Sequence, residues 1–133
     1  MQATRTTHSD GTAFEQAGSY ARAVRVGRHV AVSGTAPIGP EGTLHPGDSY
    51  GQTRAAIAKA LEAAASLGAE RGDVIRTRLL LAPGAAWEDA VRAHGEAFSG
   101  VNPANTTYFV AGFIPDVLVE FELDALISSA DDR

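Results

Sequence analysis

The stretch "VLVEFELDALI", Val117–Ile127, alternates two kinds of side chain with a period of two. Val117, Val119, Phe121, Leu123 and Ala125 share one face, and Leu118, Glu120, Glu122, Asp124 and Leu126 share the other. That period belongs to a strand with one buried face, so this segment is the natural centre of a sheet. Working back along the chain, Pro115 separates it from an earlier strand, "TTYFVAGF". A helix precedes that strand over about Ala86 to Phe98, where Trp87, Ala90, Val91, His94 and Phe98 recur at helical spacing toward a core.

Further back, "DVIRTRLLLA" predicts a strand with Ile75, Thr77, Leu79 and Leu81 on one face and Arg76, Arg78 and Leu80 on the other. A longer helix over about Tyr50 to Leu67 is capped by Asp48 or Ser49, stopped by Gly68 and striped by Ile57, Leu61, Ala64 and Leu67. The Pro- and Gly-rich "TAPIGPEGTLHPGD" ahead of it excludes regular structure. "SYARAVRVGRHVAVSG" predicts a hairpin turning at Gly27, because Val24 and Val26, then Val30 and Val32, recur at sheet period.

The expected architecture is a single α+β domain over residues 1–133. Its core runs from about 14 to 127, with a polar leader at 1–13 and a tail at 128–133. A mixed sheet of six strands carries two long helices on one face. The other face still bears Leu80, Leu118 and Leu126 among charges. Cross-strand or intersubunit pairing of Arg76 and Arg78 with Glu120, Glu122 and Asp124 would neutralise it, whether solvated or covered by another copy.

Composition narrows the function. A net charge of -5 and a pI near 5.2 argue against a nucleic-acid backbone as ligand. With no cysteine, disulfides, thiolate metal sites and cysteine nucleophiles are excluded. The beginning, "MQATRTTHSDGT", lacks a signal-like apolar run and nothing approaches a membrane span, so a soluble cytoplasmic protein without membrane contact is expected. The histidines at 8, 29, 45 and 94 show no ligand spacing, and no metal or cofactor is expected. "HGE", His94–Glu96, echoes zinc deaminases, whose chemistry also needs a cysteine pair this chain lacks. His94 fits a packed, hydrogen-bonded core histidine better than a base. The carboxylates Glu120, Glu122 and Asp124 suit either a salt-bridged strand or, in a dry site, a general acid or base.

The segments "SYARAVRVGRHVAVSGTAP", "RAHGEAF", "NPANTT" and "LVEFELDAL", in that order from about Phe14 to Ile127, resemble the Rid family, the YjgF-like reactive intermediate deaminases. The ordered set carries the resemblance; each motif alone is weak. It implies a chorismate-mutase-like fold, a homotrimer whose sheets form a central barrel, and clefts between subunits that handle a small molecule. Deaminase members hydrolyse 2-aminoacrylate and related enamines or imines to 2-keto acids and ammonia without metal or cofactor. An arginine grips the substrate carboxylate and a glutamate places the attacking water.

By motif, the family's tyrosine of the first strand matches Tyr20, its glycine after serine Gly34, and its water-positioning glutamate Glu122. The arginine of its Pro-Ala-Arg-Ser pattern falls on Asn105, its cysteine two positions on corresponds to Thr107, and an asparagine of the second helix to Arg92. An amide supplies neither the charge nor the donors of a guanidinium. The resemblance therefore points to a divergent subgroup in which Arg22, or else Arg92, compensates for the lost clamp. A surface salt-bridging role is the alternative for both.

The expected protein handles a small polar carbonyl, imine or enamine in a cleft lined by Tyr20, Gly34, Asn105, Thr107 and Glu122. A noncatalytic ligand-binding or regulatory trimer is the alternative from another class. Ribonuclease activity, a label that travels with the family, is disfavoured by the acidic charge and the lack of paired histidines.

Overall fold

The computed structural model describes residues 4–128. The outermost parts of the expected leader and tail, residues 1–3 and 129–133, lie outside the described residues. The sheet has the strand order β1-β2-β3-β8-β6-β7, formed by β1 (Arg5–His8), β2 (Ala23–Val26), β3 (His29–Thr35), β8 (Val119–Leu126), β6 (Val74–Leu81) and β7 (Ala104–Phe109). Only β6 and β7 run parallel; the other four pairings are antiparallel. The mixed six-stranded sheet is thus the one expected from the sequence. β8 lies inside it, between β3 and β6. Its inward Val119, Phe121, Leu123 and Ala125 are fully buried, each large side chain contributing about 1.5–3 kcal/mol.

Two long helices, α2 (Ser49–Ser66) and α3 (Trp87–Ala97), complete the core. Asp48 caps α2 by accepting from the Gly51 N–H. The buried stripe of α2 is rotated from the one predicted: Ala56, Ile57, Ala60, Ala63 and Ala64 face inward, while Leu61 and Leu67 are only partly covered. Small alanines let the helix lie close to the sheet, and leucines fit at its margin. On α3 the inward residues are Ala90, Ala93 and Phe98, whereas Trp87 is 53% and Val91 42% exposed. Gln52 is buried and joins the two loops beside it. Its Nε2 donates to the Asp116 carbonyl at 2.8 Å and the His45 carbonyl at 3.3 Å, and its Oε1 accepts from the Leu118 N–H at 2.7 Å.

Five further differences have local causes. Arg5–His8 of the expected leader form the edge strand β1, paired to β2 from Arg5↔Val26 to His8↔Ala23. A short helix α1 (Ala13–Gly18) follows, closed by a capping box between Thr12 and Glu15. The Pro- and Gly-rich segment holds a minimal ladder of β4 (Ile38–Gly39) and β5 (Gly42–Thr43). In β2 it is Ala23 that is buried and Val26 that is exposed, so Val24 and Val26 lie on the face away from the helices. In β6 a register shift between Val74 and Arg76 expels Ile75, which is 50% exposed, and leaves Val74 inside.

Candidate functional site

Glu15 organises the segment that carries Tyr20 and Arg22. It is buried and accepts from the Ser9 and Thr12 hydroxyls and from the Asp10 and Thr12 N–H groups. The Ser9 hydrogen bond is the largest influence holding its carboxyl down, to a pKa of about 2, against the opposing effect of burial. Ser19 closes α1 in the left-handed conformation, φ 56°. The chain then passes through Tyr20 and Arg22 before β2 begins, so neither residue belongs to a strand as expected. Gly18 makes room for the tyrosine: a Cβ there would stand 2.8 Å from the Tyr20 ring.

Tyr20 and Arg22 do share one side, with the guanidinium 5.8 Å from the ring centroid. Arg22 donates to the Gly34 carbonyl at 3.0 Å and to the Thr35 hydroxyl at 3.3 Å, and its Nε lies 4.0 Å from the Glu15 carboxylate. A cavity of about 440 Å³ opens beside it, lined by Tyr20, Arg22, Gly34, Lys59, Ile114 and Glu120 among others. Lys59 reaches it from α2 and donates to the Ile38 carbonyl at 2.6 Å. At its rim Phe14 is 67% and Tyr20 44% exposed.

Three carboxylates line this cavity, Asp10, Glu15 and Glu120; Glu15 is committed to the Ser9 and Thr12 hydrogen bonds, and Glu120 is the one that stands against Gly34. Its Oε1 would be 3.2 Å from a Cβ at Gly34, so the absent side chain there leaves it space. Burial raises its pKa above the ordinary value; the Arg22 charge counteracts this and the Glu122 charge adds to it. Glu122, the glutamate matched by motif, is held elsewhere: Arg78 donates to it at 3.2 Å and also approaches Asp124 at 3.7 Å. His29 completes this ladder, 2.8 Å from Asp124. Cross-strand charge pairing on the uncovered face is therefore present for Arg78, whereas Arg76 donates to the Thr106 hydroxyl at 2.7 Å.

Asn105 and Thr107 form a second group on β7. Thr107 donates to Asn105 Oδ1 at 2.8 Å, Asn105 Nδ2 donates to Thr77 Oγ1 at 3.0 Å, and Thr77 Oγ1 lies 2.8 Å from His94 Nε2. His94 packs against Phe98 at 4.8 Å between ring centroids, and burial pushes its pKa down. It is a packed, hydrogen-bonded histidine, as its helical position suggested. Arg92 belongs to neither group. It stacks 4.0 Å above the Tyr50 ring and approaches Asp89 and Glu96, each at 3.7 Å, on the outer surface of the helices.

Within one chain the cavity group and the β7 group stand apart. β3, which carries Gly34, and β7 are separated by β8 and β6. Gly34 on β3 is three interstrand spacings from β7, roughly 14 Å, and Glu120 on β8 is two, roughly 10 Å; neither Asn105 nor Thr107 lines the cavity. Sequence reasoning missed Glu120's place in the cavity and the whole contribution of Lys59. Alternation puts Glu120 and Glu122 on one face without ranking them, and the break in β3–β8 register between Val32 and Thr35 hides which of them meets Gly34.

Among the described residues no group of three or more His, Asp or Glu could hold a metal ion, and no helix is long and apolar enough to cross a membrane. The sequence pattern of the family described as Endoribonuclease L-PSP matches residues 10–127. An uncharacterized protein of Streptomyces coelicolor is 38% identical over 122 residues, covering 91% of each chain. A RutC family protein of Pyrococcus abyssi is 30% identical over 106 residues, covering 79% of this chain and 84% of its own. Among solved structures, Rv2704 of Mycobacterium tuberculosis, described as a member of the YjgF/YER057c/UK114 family, superposes with a TM-score of 0.83 at 36% identity. The match covers 93% of this chain and 100% of Rv2704.

Proposed function

Because the chain belongs to the endoribonuclease L-PSP family, the YjgF-like or Rid group, we propose that it is a small-molecule enzyme acting on an imine, enamine or carbonyl intermediate by hydrolysis or tautomerisation. The observation that carries this reading is Glu120: a partly desolvated carboxyl with a raised pKa, beside Arg22 and Tyr20 in an open cavity. A carboxyl whose burial favours its protonated form can both hold and release a proton at the site, which is the demand of general acid–base chemistry. In imine hydrolysis, Glu120 takes a proton from water as its oxygen bonds to the imine carbon. That proton passes to the nitrogen, giving a carbinolamine; its hydroxyl then returns a proton to Glu120 and the nitrogen gains it as the C–N bond breaks, and the products are a carbonyl compound and ammonia. Glu120, rather than Glu122, has this role because Glu122 is engaged by Arg78.

The working cleft joins the cavity of one copy to the β7 edge of the next in a homotrimer. The separation of the two groups within one chain supports this, as do the exposed apolar residues on the face away from the helices, such as Val26, Ile75 and Leu126. Beside Asn105 and Thr107, β7 itself carries no cationic residue, Arg76 is tied to the Thr106 hydroxyl, and Arg22 is already tied to Gly34 and Thr35. Hydrolysis of 2-aminoacrylate should consequently be weak or absent.

Purified protein is expected not to accelerate ammonia release from a 2-aminoacrylate-generating system; robust acceleration overturns the missing-clamp reasoning. On a neutral imine that the protein does turn over, Glu120→Gln should lower turnover by about 10²–10⁴-fold while ligand binding persists. Turnover untouched by Glu120→Gln refutes the acid–base role of Glu120, absence of turnover on every imine, enamine and carbonyl probe refutes the enzyme assignment, and a monomer by sedimentation refutes the shared cleft.

A further inference from the structure

The hydrogen bonds behind Asn105 have a direction. Thr77 Oγ1 is fully buried and carries a single hydrogen. It accepts from Asn105 Nδ2 and lies 2.8 Å from His94 Nε2; giving its own hydrogen to Nε2 is the arrangement that leaves the buried hydroxyl hydrogen with an acceptor. Nε2 is then an acceptor and the imidazole proton sits on Nδ1. The apolar packing of the ring against Phe98 and Phe121 favours that neutral form, in keeping with the downward push of burial on its pKa. At the outer end, Thr107 has given its hydrogen to Asn105 Oδ1. What remains unused is one N–H of Asn105 and the lone pairs of the Thr107 oxygen.

We propose that His94, acting through Thr77, is a positioning residue that fixes the Asn105 amide so that the β7 edge presents an N–H donor beside an oxygen acceptor, a pattern selecting a carboxamide over a carboxylate. This rests on the reading that Asn105 and Thr107 line the ligand cleft. A carboxamide answers both groups, its carbonyl accepting from Asn105 and its NH₂ donating to Thr107. An ionised carboxylate has acceptors only; one oxygen can meet the Asn105 N–H, while the other faces lone pairs on Thr107. The unmatched contact reduces affinity for the acid on the order of tenfold. Reversal of the chain of bonds, with the proton on Nε2, would turn the amide over and make Thr107 the donor.

The test compares binding of pyruvamide and pyruvate by calorimetry, with nitrogen NMR of the His94 imidazole. Wild type should prefer pyruvamide by roughly tenfold, and the imidazole proton should reside on Nδ1. Thr77→Ser, which keeps the hydroxyl, should retain the preference, and Thr77→Val should bring the two probes near parity; Asn105→Ala should weaken pyruvamide. A proton on Nε2, parity in the wild type, or a preference unchanged in a folded Thr77→Val overturns the proposal while Asn105-dependent binding leaves the cleft reading intact. Failure of both probes to bind, or binding indifferent to Asn105→Ala, removes the cleft reading and this proposal with it.

Discussion

Replacing Gly34 by Ala tests the geometry of the cavity at its tightest point. Gly34 is not among the positive-φ glycines, so an alanine can adopt its backbone conformation without strain. The new methyl would stand 3.2 Å from Glu120 Oε1, a few tenths of an ångström inside ordinary contact. The terminal torsion of a glutamate is broad, and a small rotation relieves the clash. The cost in stability should therefore stay below about 1 kcal/mol. The chemical effect should be larger. A methyl against the carboxylate removes solvent from it and disfavours the charged form, pushing the Glu120 pKa further up. Turnover should fall roughly severalfold to tenfold, less than the 10² of a full 1 Å misplacement. Denaturant unfolding reads the first quantity, and carbon NMR titration of the Glu120 carboxyl, assigned with Glu120→Gln, reads the second. A carboxyl midpoint that stays put or moves down in a folded Gly34→Ala protein refutes the placement of Glu120 against Gly34.

Two further outcomes follow from titration. Glu120 binds its proton more tightly folded than unfolded, so its contribution lowers stability as pH rises from the ordinary glutamate range through the raised folded value. Glu120→Gln removes that decline, and urea midpoints of variant and wild type should separate with rising pH, the variant being higher; converging midpoints would contradict the burial of this carboxyl. Glu15 behaves oppositely: its stabilisation is present above the unfolded value near 4.5 and is lost as pH falls through about 2. Ser9→Ala removes the largest cause of the depression, so the Glu15 midpoint should rise and acid unfolding should begin at higher pH; an unaltered acid limb would count against the Ser9 hydrogen bond.

How far the fold was legible depended on how much of each strand or helix face is buried. β8 announced itself because every second residue is enclosed and the rest are not. β1 was invisible since Arg5, Thr6 and Thr7 are exposed on an edge and carry no alternation. Ile75 misled because a bulge breaks the period that makes alternation informative. Trp87 and Val91 misled because apolar character does not say which side of a helix meets the core. Tyr20 and Gly34 line one cavity, but the choice between Glu120 and Glu122 depended on strand register. The bonds from His94 to Thr107 cross three elements and have no local signature in the sequence.

In the proposed trimer, where the cavity of one copy meets the β7 edge of the next, a ligand site would be a property of pairs. Two defective variants, one altered at Glu120 and the other at Asn105, would each lack every intact site as pure assemblies. Unfolded together and reassembled, any ring of three containing both kinds has one boundary at which an unaltered cavity meets an unaltered edge. Random equal mixing would then restore about a quarter of the sites, an intragenic complementation available only to a protein whose chemistry is divided between neighbours.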